Sequence, residues 1–304
     1  MRVFVTGATG VVGRRVVPML VERGHRVTAV GRTPEKRAAL ERQGATASEV
    51  SLFDRDALAR ALAGHDAAIN LATHVPRSVL ALMLPWAWRE NDRVRRDGSA
   101  ALAAAALAAG VGRLVQESFA PIYEDRGDEW IDESWPVRAA PYNRTVLDAE
   151  RSAARVTSAG GAGVVLRFAG FYGPDSRLLH DLARAARRGW SLLPGPPEAY
   201  LSSVSHDDAA TAAVAALDLP AGIYNVCDDE PLTRGEYAAA LARAAGAKRV
   251  RHLPAWTLRL AGKTGELLAR SQRISNRKLR TASAWRPRYA TAREGLREAL
   301  GAHP

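Results

Sequence analysis

A chain of 304 residues is long enough for one large domain or two modest ones that share an interface. A composition of 47% apolar and 25% charged residues excludes general disorder, and a single cysteine, Cys227, excludes an internal disulfide and a cysteine-based zinc site. The net charge of +11 raises the question of a polyanion partner, but only four of the 43 cations are lysines, the arginines are scattered, and no block of five like charges occurs, so no nucleic-acid surface is expected.

The opening MRVFVTGATG offers no charged n-region, apolar h-region or cleavage site. The longest apolar stretch, Gly98–Gly112, falls short of the ~20 residues of a membrane span. A soluble, cytoplasmic protein with no membrane partner is the expectation.

The elements alternate from the start. Val3–Val5 is a short apolar strand that ends in a glycine-rich turn, and Val11–Gly24 is a helix. Arg26–Val30 is a second strand, followed by a charged helix over Glu35–Gln43. A strand over Ala47–Leu52 leads to a helix at Arg55–Ala63, and Ala67–Leu71 is a fourth strand. A long helix is expected over Arg89–Ala109, stopped by Gly110. Leu114–Glu117 and Val164–Phe168 are further strands, separated by a helix that starts near Tyr142. Apolar strands alternating with helices imply an α/β fold with a doubly wound parallel sheet of Rossmann type.

After Tyr172 the pattern changes. Glycine, proline and aromatic residues cluster in GFYGPDS and LLPGPPEAY. Helices are expected near Leu178–Arg188, Asp207–Leu217, Arg234–Ala245 and Pro254–Ala269, with Thr233 and Glu236 spaced as a capping box. One more strand, Gly222–Val226, sits between them. This suggests a dinucleotide-binding domain over 1–170, with 202–228 returning to it, and a smaller, mostly helical substrate-binding region over 171–304.

Gly7, Gly10 and Gly13 lie between a strand and a helix. The first permits a tight turn, the second lets backbone approach a pyrophosphate, and the third lets helix and strand pack closely. The amides at the helix start then hold phosphate. At the end of the second strand an acidic residue would bond the ribose of NAD, but Gly31-Arg32-Thr33 stands there instead. Arg32 can pair with a 2′-phosphate, and Lys36 can add charge one turn later, so NADP(H) is favoured over NAD(H).

These residues resemble the extended short-chain dehydrogenase/reductase family, also called the NAD-dependent epimerase/dehydratase family. TGATGVVG is similar to its cofactor loop and Asn70-Leu71-Ala72 to its fourth-strand motif. Leu166-Arg167 with Tyr172-Gly173-Pro174, then Ser205-His206-Asp207-Asp208, then Gly222–Val226 resemble its later segments in order. The resemblance implies that Gly7, Thr9, Gly10, Val11, Val12 and Gly13 surround the pyrophosphate and that Ser51 and Leu52 flank adenine, although the family usually has Asp where Ser51 stands. It implies Leu71, Ala72 and Thr73 beside the ribose and nicotinamide, Tyr142 opposite them, and Phe168, Ala169 and Phe171 closing the nicotinamide side. A homodimer through the helices near 89–109 and 142–159 is also implied.

Family catalysis rests on Ser or Thr, Tyr and Lys. Tyr142 falls at the tyrosine position, but Val146 stands where Lys is expected and Phe119 where Ser is expected. Ser118 is the adjacent candidate, although neighbours on a strand face opposite ways. A neutral phenol can donate a proton to a carbonyl but is a poor base, so any redox activity should favour reduction. Tyr142 is therefore either catalytic, a ribose contact or a buried helix residue. Glu117 is either a substitute acid or base or a structural hydrogen-bonding residue, and Tyr123 is weighed as a second phenol near the nicotinamide. His206 with Asp207 and Asp208 suits a helix start better than a metal site.

Aromatic residues cluster around the expected pocket, at Trp86, Trp88, Phe119, Trp130, Trp135, Phe171 and Trp190, and the stretch His74–Leu84 has one ionic side chain, Arg77. Two functions follow. One is an NADP(H)-dependent oxidoreductase that reduces a carbonyl of a small apolar or aromatic substrate. The other is an NADP(H)-binding protein without redox turnover, serving as a redox sensor or as a non-redox, epimerase-type catalyst.

Overall fold

Seven parallel strands form the central sheet of the computed structural model, which describes residues 1–76, 84–253, 265 and 269–301. They are β1 (Arg2–Thr6), β2 (Arg26–Val30), β3 (Thr46–Ser48), β4 (Ala67–Asn70), β5 (Arg113–Phe119), β6 (Ala162–Phe168) and β7 (Gly222–Val226). Their order is β7-β6-β5-β4-β1-β2-β3. The chain runs outward from β1 to β3 and then returns to β4, so the order reverses between β1 and β4. A crevice opens beyond the carboxyl ends of those two strands.

The helices between the strands are amphipathic. In α1 (Gly13–Glu22), Val16, Val17 and Leu20 face the sheet. Thr33 caps α2 (Pro34–Arg42), with proline at its start, and Asp54 caps α3 (Arg55–Leu62). Both sheet faces are covered, one core holding Val5, Val17 and Leu166, the other Phe4, Leu58 and Leu114.

The single helix expected over Arg89–Ala109 is not continuous. It is divided into a 3₁₀ turn (Pro85–Trp88), α4 (Arg89–Arg93), a π-helical turn (Val94–Gly98) and α5 (Ser99–Ala108). The extra residue in the π turn rotates what precedes it relative to α5. The helix expected from Tyr142 begins only at Val146, as α6 (Val146–Ser158), because Ala140 O and Asn143 O accept turn bonds from the Asn143 and Val146 amides.

Helices α7 (Arg177–Arg187), α8 (His206–Ala215), α9 (Arg234–Ala244), α10 (Arg277–Ala282) and α11 (Ala292–Ala299) follow. The Thr233–Glu236 capping box forms as the spacing predicts. A third core of Tyr172, Leu179, Leu232, Tyr237, Leu241 and Leu296 joins α7, α9 and α11. Residues 77–83 of the apolar run, and most of the helix expected over 254–269, lie outside the described residues. No described helix is long and apolar enough to cross a membrane.

One buried polar network ties β5, β6, β7 and α6 together. Arg167 donates twice to Glu150, from Nε to Oε1 and Nη2 to Oε2, each at 2.8 Å. Ser118 Oγ donates to Glu150 Oε1 at 2.5 Å. Arg167 Nη1 also reaches the Tyr123 hydroxyl at 2.8 Å, which in turn donates to Asn225 Oδ1 at 2.8 Å. Removing one member leaves a buried charge unpaired. Glu150→Ala should therefore cost about 3–5 kcal/mol in urea unfolding, and a loss below about 1 kcal/mol would show the network to be dispensable.

Candidate active site

The crevice at the strand reversal contains a cavity of about 480 Å³. It extends from the glycine turn after β1, past Leu71 and Thr73 after β4, to Tyr142 and Phe168. Phe171 and Leu179 form the wall contributed by the later part of the chain.

The turn after β1 is shaped by its glycines. Gly7 has φ +68°, and a Cβ on it would stand 2.3 Å from the Leu71 carbonyl carbon. A Cβ on Gly13 would stand 2.2 Å from Gly7 O. A Cβ on Gly10 would meet only Gly7 O, at 3.2 Å, so that side of the turn is open. No side chain caps the start of α1. The Arg14, Arg15 and Val16 amides bond back to Gly10 O and Val12 O, so the lining residues Val11, Val12 and Gly13 present the remaining amides beside the positive dipole end, and the cradle fits a dinucleotide pyrophosphate.

Arg32 follows β2, is exposed and makes no ion pair among the described residues. Its neighbour Thr33 is engaged as the α2 cap, while Arg37 reaches back to Gly31 O at 3.4 Å and to Glu49 at 3.2 Å. Ser51 Oγ accepts from the Phe53 amide at 3.2 Å, and Leu52 packs against Gly98. Asp175 and Asp207 both pair with Arg15, the former at 2.6 Å, and Asp175 also pairs with Arg14. These ion pairs hold the segment after Tyr172 against the start of α1.

Tyr142 stands in the turn before α6, packed against Trp88 with ring centroids 4.8 Å apart and planes tilted by 45°. Burial pushes its phenol well above the ordinary value, and the nearby Arg270 and Arg95 cations oppose this only in part. At neutral pH it is a proton donor. Val146 is fully buried, so an apolar side chain occupies the first turn of α6.

Of the residues expected at the site, Gly10, Val11, Val12, Gly13, Leu71, Thr73, Tyr142, Phe168 and Phe171 line this one cavity. Thr9, Ala72 and Ala169 adjoin lining residues along the chain and Gly7 lies against the lining residue Leu71, while Arg32, Ser51 and Leu52 lie past the ends of β2 and β3. Ser118 requires correction as a catalytic candidate. It is fully buried and turned to Glu150, because alternation along β5 sends Glu117 and Phe119 to the cavity and Ser118 to the other face. Tyr123 also leaves the site. It is fully buried in the Arg167 network, with its hydroxyl pushed up to about 12 by burial. His206 is buried with its imidazole pushed down to about 4 by desolvation, and the α8 cap comes from Ser205, not from an aspartate.

Arg95 and Asn143 also border the cavity, and the sequence reading missed both. Arg95 lies in the π turn, which no spacing rule reveals. Asn143 directly follows Tyr142 and was detectable only by that adjacency.

Asp228 lies behind the cavity wall, 1% exposed, and accepts from Ser203 Oγ at 3.0 Å. Burial lifts its carboxyl well above the ordinary range, with Asp208 adding to the shift and the Ser203 bond offsetting part of it. A raised folded pKa gives stability that is complete below the unfolded value of ~3.9 and is lost as pH rises toward the folded value. Asp228→Asn should match the wild type in urea near pH 4 and exceed it at neutral pH. A constant difference across that range would contradict the assignment.

The sequence profile of a family described as NAD(P)H-binding matches residues 7–220. The chain is 34% identical to a 3-diazoavenalumate denitrifying reductase from a Streptomyces species, across 97% of this chain and 99% of the relative. It is 30% identical to a 2-alkyl-3-oxoalkanoate reductase from Stenotrophomonas maltophilia, across 82% and 77%. Among solved structures it resembles a Thermus thermophilus UDP-glucose 4-epimerase complexed with NAD, at 25% identity and TM-score 0.77, covering 99% of this chain and 98% of that one. A human epimerase family protein with NADPH shares the fold at TM-score 0.81 and 23% identity, covering all of both chains.

Proposed function

This chain belongs to the NAD(P)H-binding epimerase/dehydratase group of short-chain dehydrogenases/reductases, and we propose that it is an NADPH-dependent reductase of a carbonyl on a small apolar or aromatic substrate. One observation carries this reading: the open side of the glycine turn and the Tyr142 ring face the same largely apolar cavity. The reductase names of the two sequence relatives support the direction of the chemistry.

Val11, Val12 and Gly13 would hold the pyrophosphate through backbone amides, Gly10 would leave room for it, and Arg32 would hold the 2′-phosphate. NADPH, when bound, would supply the hydride for such a reduction. Tyr142 gives its phenolic proton to the carbonyl oxygen as charge develops there, and Arg95 and Arg270 stabilise the phenolate left behind. The phenol stays protonated through neutral pH, which suits reduction and disfavours alcohol oxidation. Phe168 and Phe171, with ring centroids 5.4 Å apart, exclude water from the reacting face. Few polar groups meet the substrate's body, which suits an aromatic or aliphatic compound better than a nucleotide sugar.

NADPH oxidation with a panel of aryl and alkyl ketones and aldehydes tests the reading. Turnover should appear, and Tyr142→Phe should lower kcat by roughly 10²–10⁴-fold. Tight NADPH binding with no consumption across the panel would instead favour a binding protein without redox turnover. Arg32→Ala should weaken NADPH binding by about 10- to 100-fold while leaving NADH affinity nearly unchanged, and equal losses for both cofactors would remove the 2′-phosphate assignment.

A further inference from the structure

The cavity wall that includes Asn143 carries polar atoms that the fold leaves unsatisfied. Arg95 and Glu117 form an ion pair through one contact, Nη2 to Oε1 at 2.7 Å. Glu117 Oε2, Arg95 Nε, and both Asn143 side-chain polar atoms are buried with no hydrogen-bond partner among the described residues. The three residues are 7%, 3% and 1% exposed, and all border the cavity. The Asn143 backbone already makes the turn before α6, so its side chain is not needed as a cap. Leaving a buried carboxylate oxygen and an amide unpaired costs free energy that a ligand can recover. Such groups gathered on one cavity wall point to a ligand.

Their chemistry limits what that ligand carries. Glu117 Oε2 only accepts, whereas Asn143 offers both an N–H donor and a carbonyl acceptor. A hydroxyl suits either residue, donating its hydrogen to Glu117 Oε2 or accepting from Asn143 Nδ2. A carboxylate or phosphate would meet the charge of Glu117, and an ether would leave Oε2 unpaired. We infer that Glu117 and Asn143 form a hydroxyl-binding subsite and that the substrate is a hydroxylated compound with an apolar or aromatic body. Phe168, Phe171 and Trp88 supply the surface against which that body packs. The inference rests on the reductase reading for the fate of the substrate, but not for its binding.

The test uses ortho-, meta- and para-hydroxyacetophenone with the three matching methyl ethers. Binding to the NADP⁺-saturated protein is measured by calorimetry, and NADPH consumption is followed with the same six compounds. At least one hydroxyl isomer should bind about 10- to 100-fold more tightly than its ether, the range for a hydrogen bond to a charged acceptor. That ratio should fall toward one in Glu117→Gln, whose amide oxygen can still accept from Arg95 but whose second position no longer accepts a hydrogen. Equal affinities within every pair, binding by no isomer, or an undiminished ratio in Glu117→Gln would overturn the subsite. If Glu117→Gln does not fold, the wild-type pairs and Asn143→Leu decide the matter by the same ratio. Hydroxyl-selective binding without NADPH consumption leaves the subsite standing and removes the reductase reading. Consumption that is equal for hydroxyl and ether does the reverse.

Discussion

At the carboxyl ends of β1 and β4 three pieces of backbone approach so closely that no side chain fits between them. A Cβ on Gly7 would reach within 2.3 Å of Leu71, and one on Gly13 within 2.2 Å of Gly7. This contact fixes where α1 begins relative to the sheet, and therefore where its uncapped first turn points. The crevice, its electrostatic preference for phosphate and the location of the substrate cavity all descend from it. The Arg14 and Arg15 pairs with Asp175 and Asp207 attach the second half of the chain at the same place, so the cavity wall from Phe171 onward is registered to the cofactor cradle.

Strand β5 divides two kinds of polar chemistry by its alternation. Ser118 joins Glu150 and Arg167 in a fully internal network in which nearly every donor finds an acceptor. One residue to either side, Glu117 and Phe119 face the cavity, and there Glu117 keeps one oxygen unpaired. A saturated network holds structure, whereas an incompletely satisfied one on a cavity wall is suited to binding. On that side Phe119 borders the cavity, and Val146 fills the first turn of α6. The cations that act on Tyr142 are Arg95 and Arg270, far apart in sequence.

Much of the fold was legible because apolar runs of strand length alternate with amphipathic stretches, and that period alone implies a parallel, doubly wound sheet. The glycine spacing located the tight turn after β1, since only glycine tolerates such close backbone contacts. Helix continuity was less legible. The π turn at Val94–Gly98 leaves no compositional mark in a run of arginine and alanine, and the local turn before α6 is anchored from a distance by Thr145 Oγ1, which donates to Asp92 Oδ1 at 2.7 Å.

The sequence by itself determined the sheet type, the tight glycine turn after β1 and the cation at the end of β2, because each depends on residue identity or on spacing within one segment. Tertiary structure alone decided that Ser118 and Tyr123 serve the core, that Arg95 reaches Glu117 across 22 positions, and that Asn143 shares a cavity with both. Those outcomes depend on strand pairing, on the register of one helical turn and on which buried polar atoms find partners, none of which is a local property of the chain.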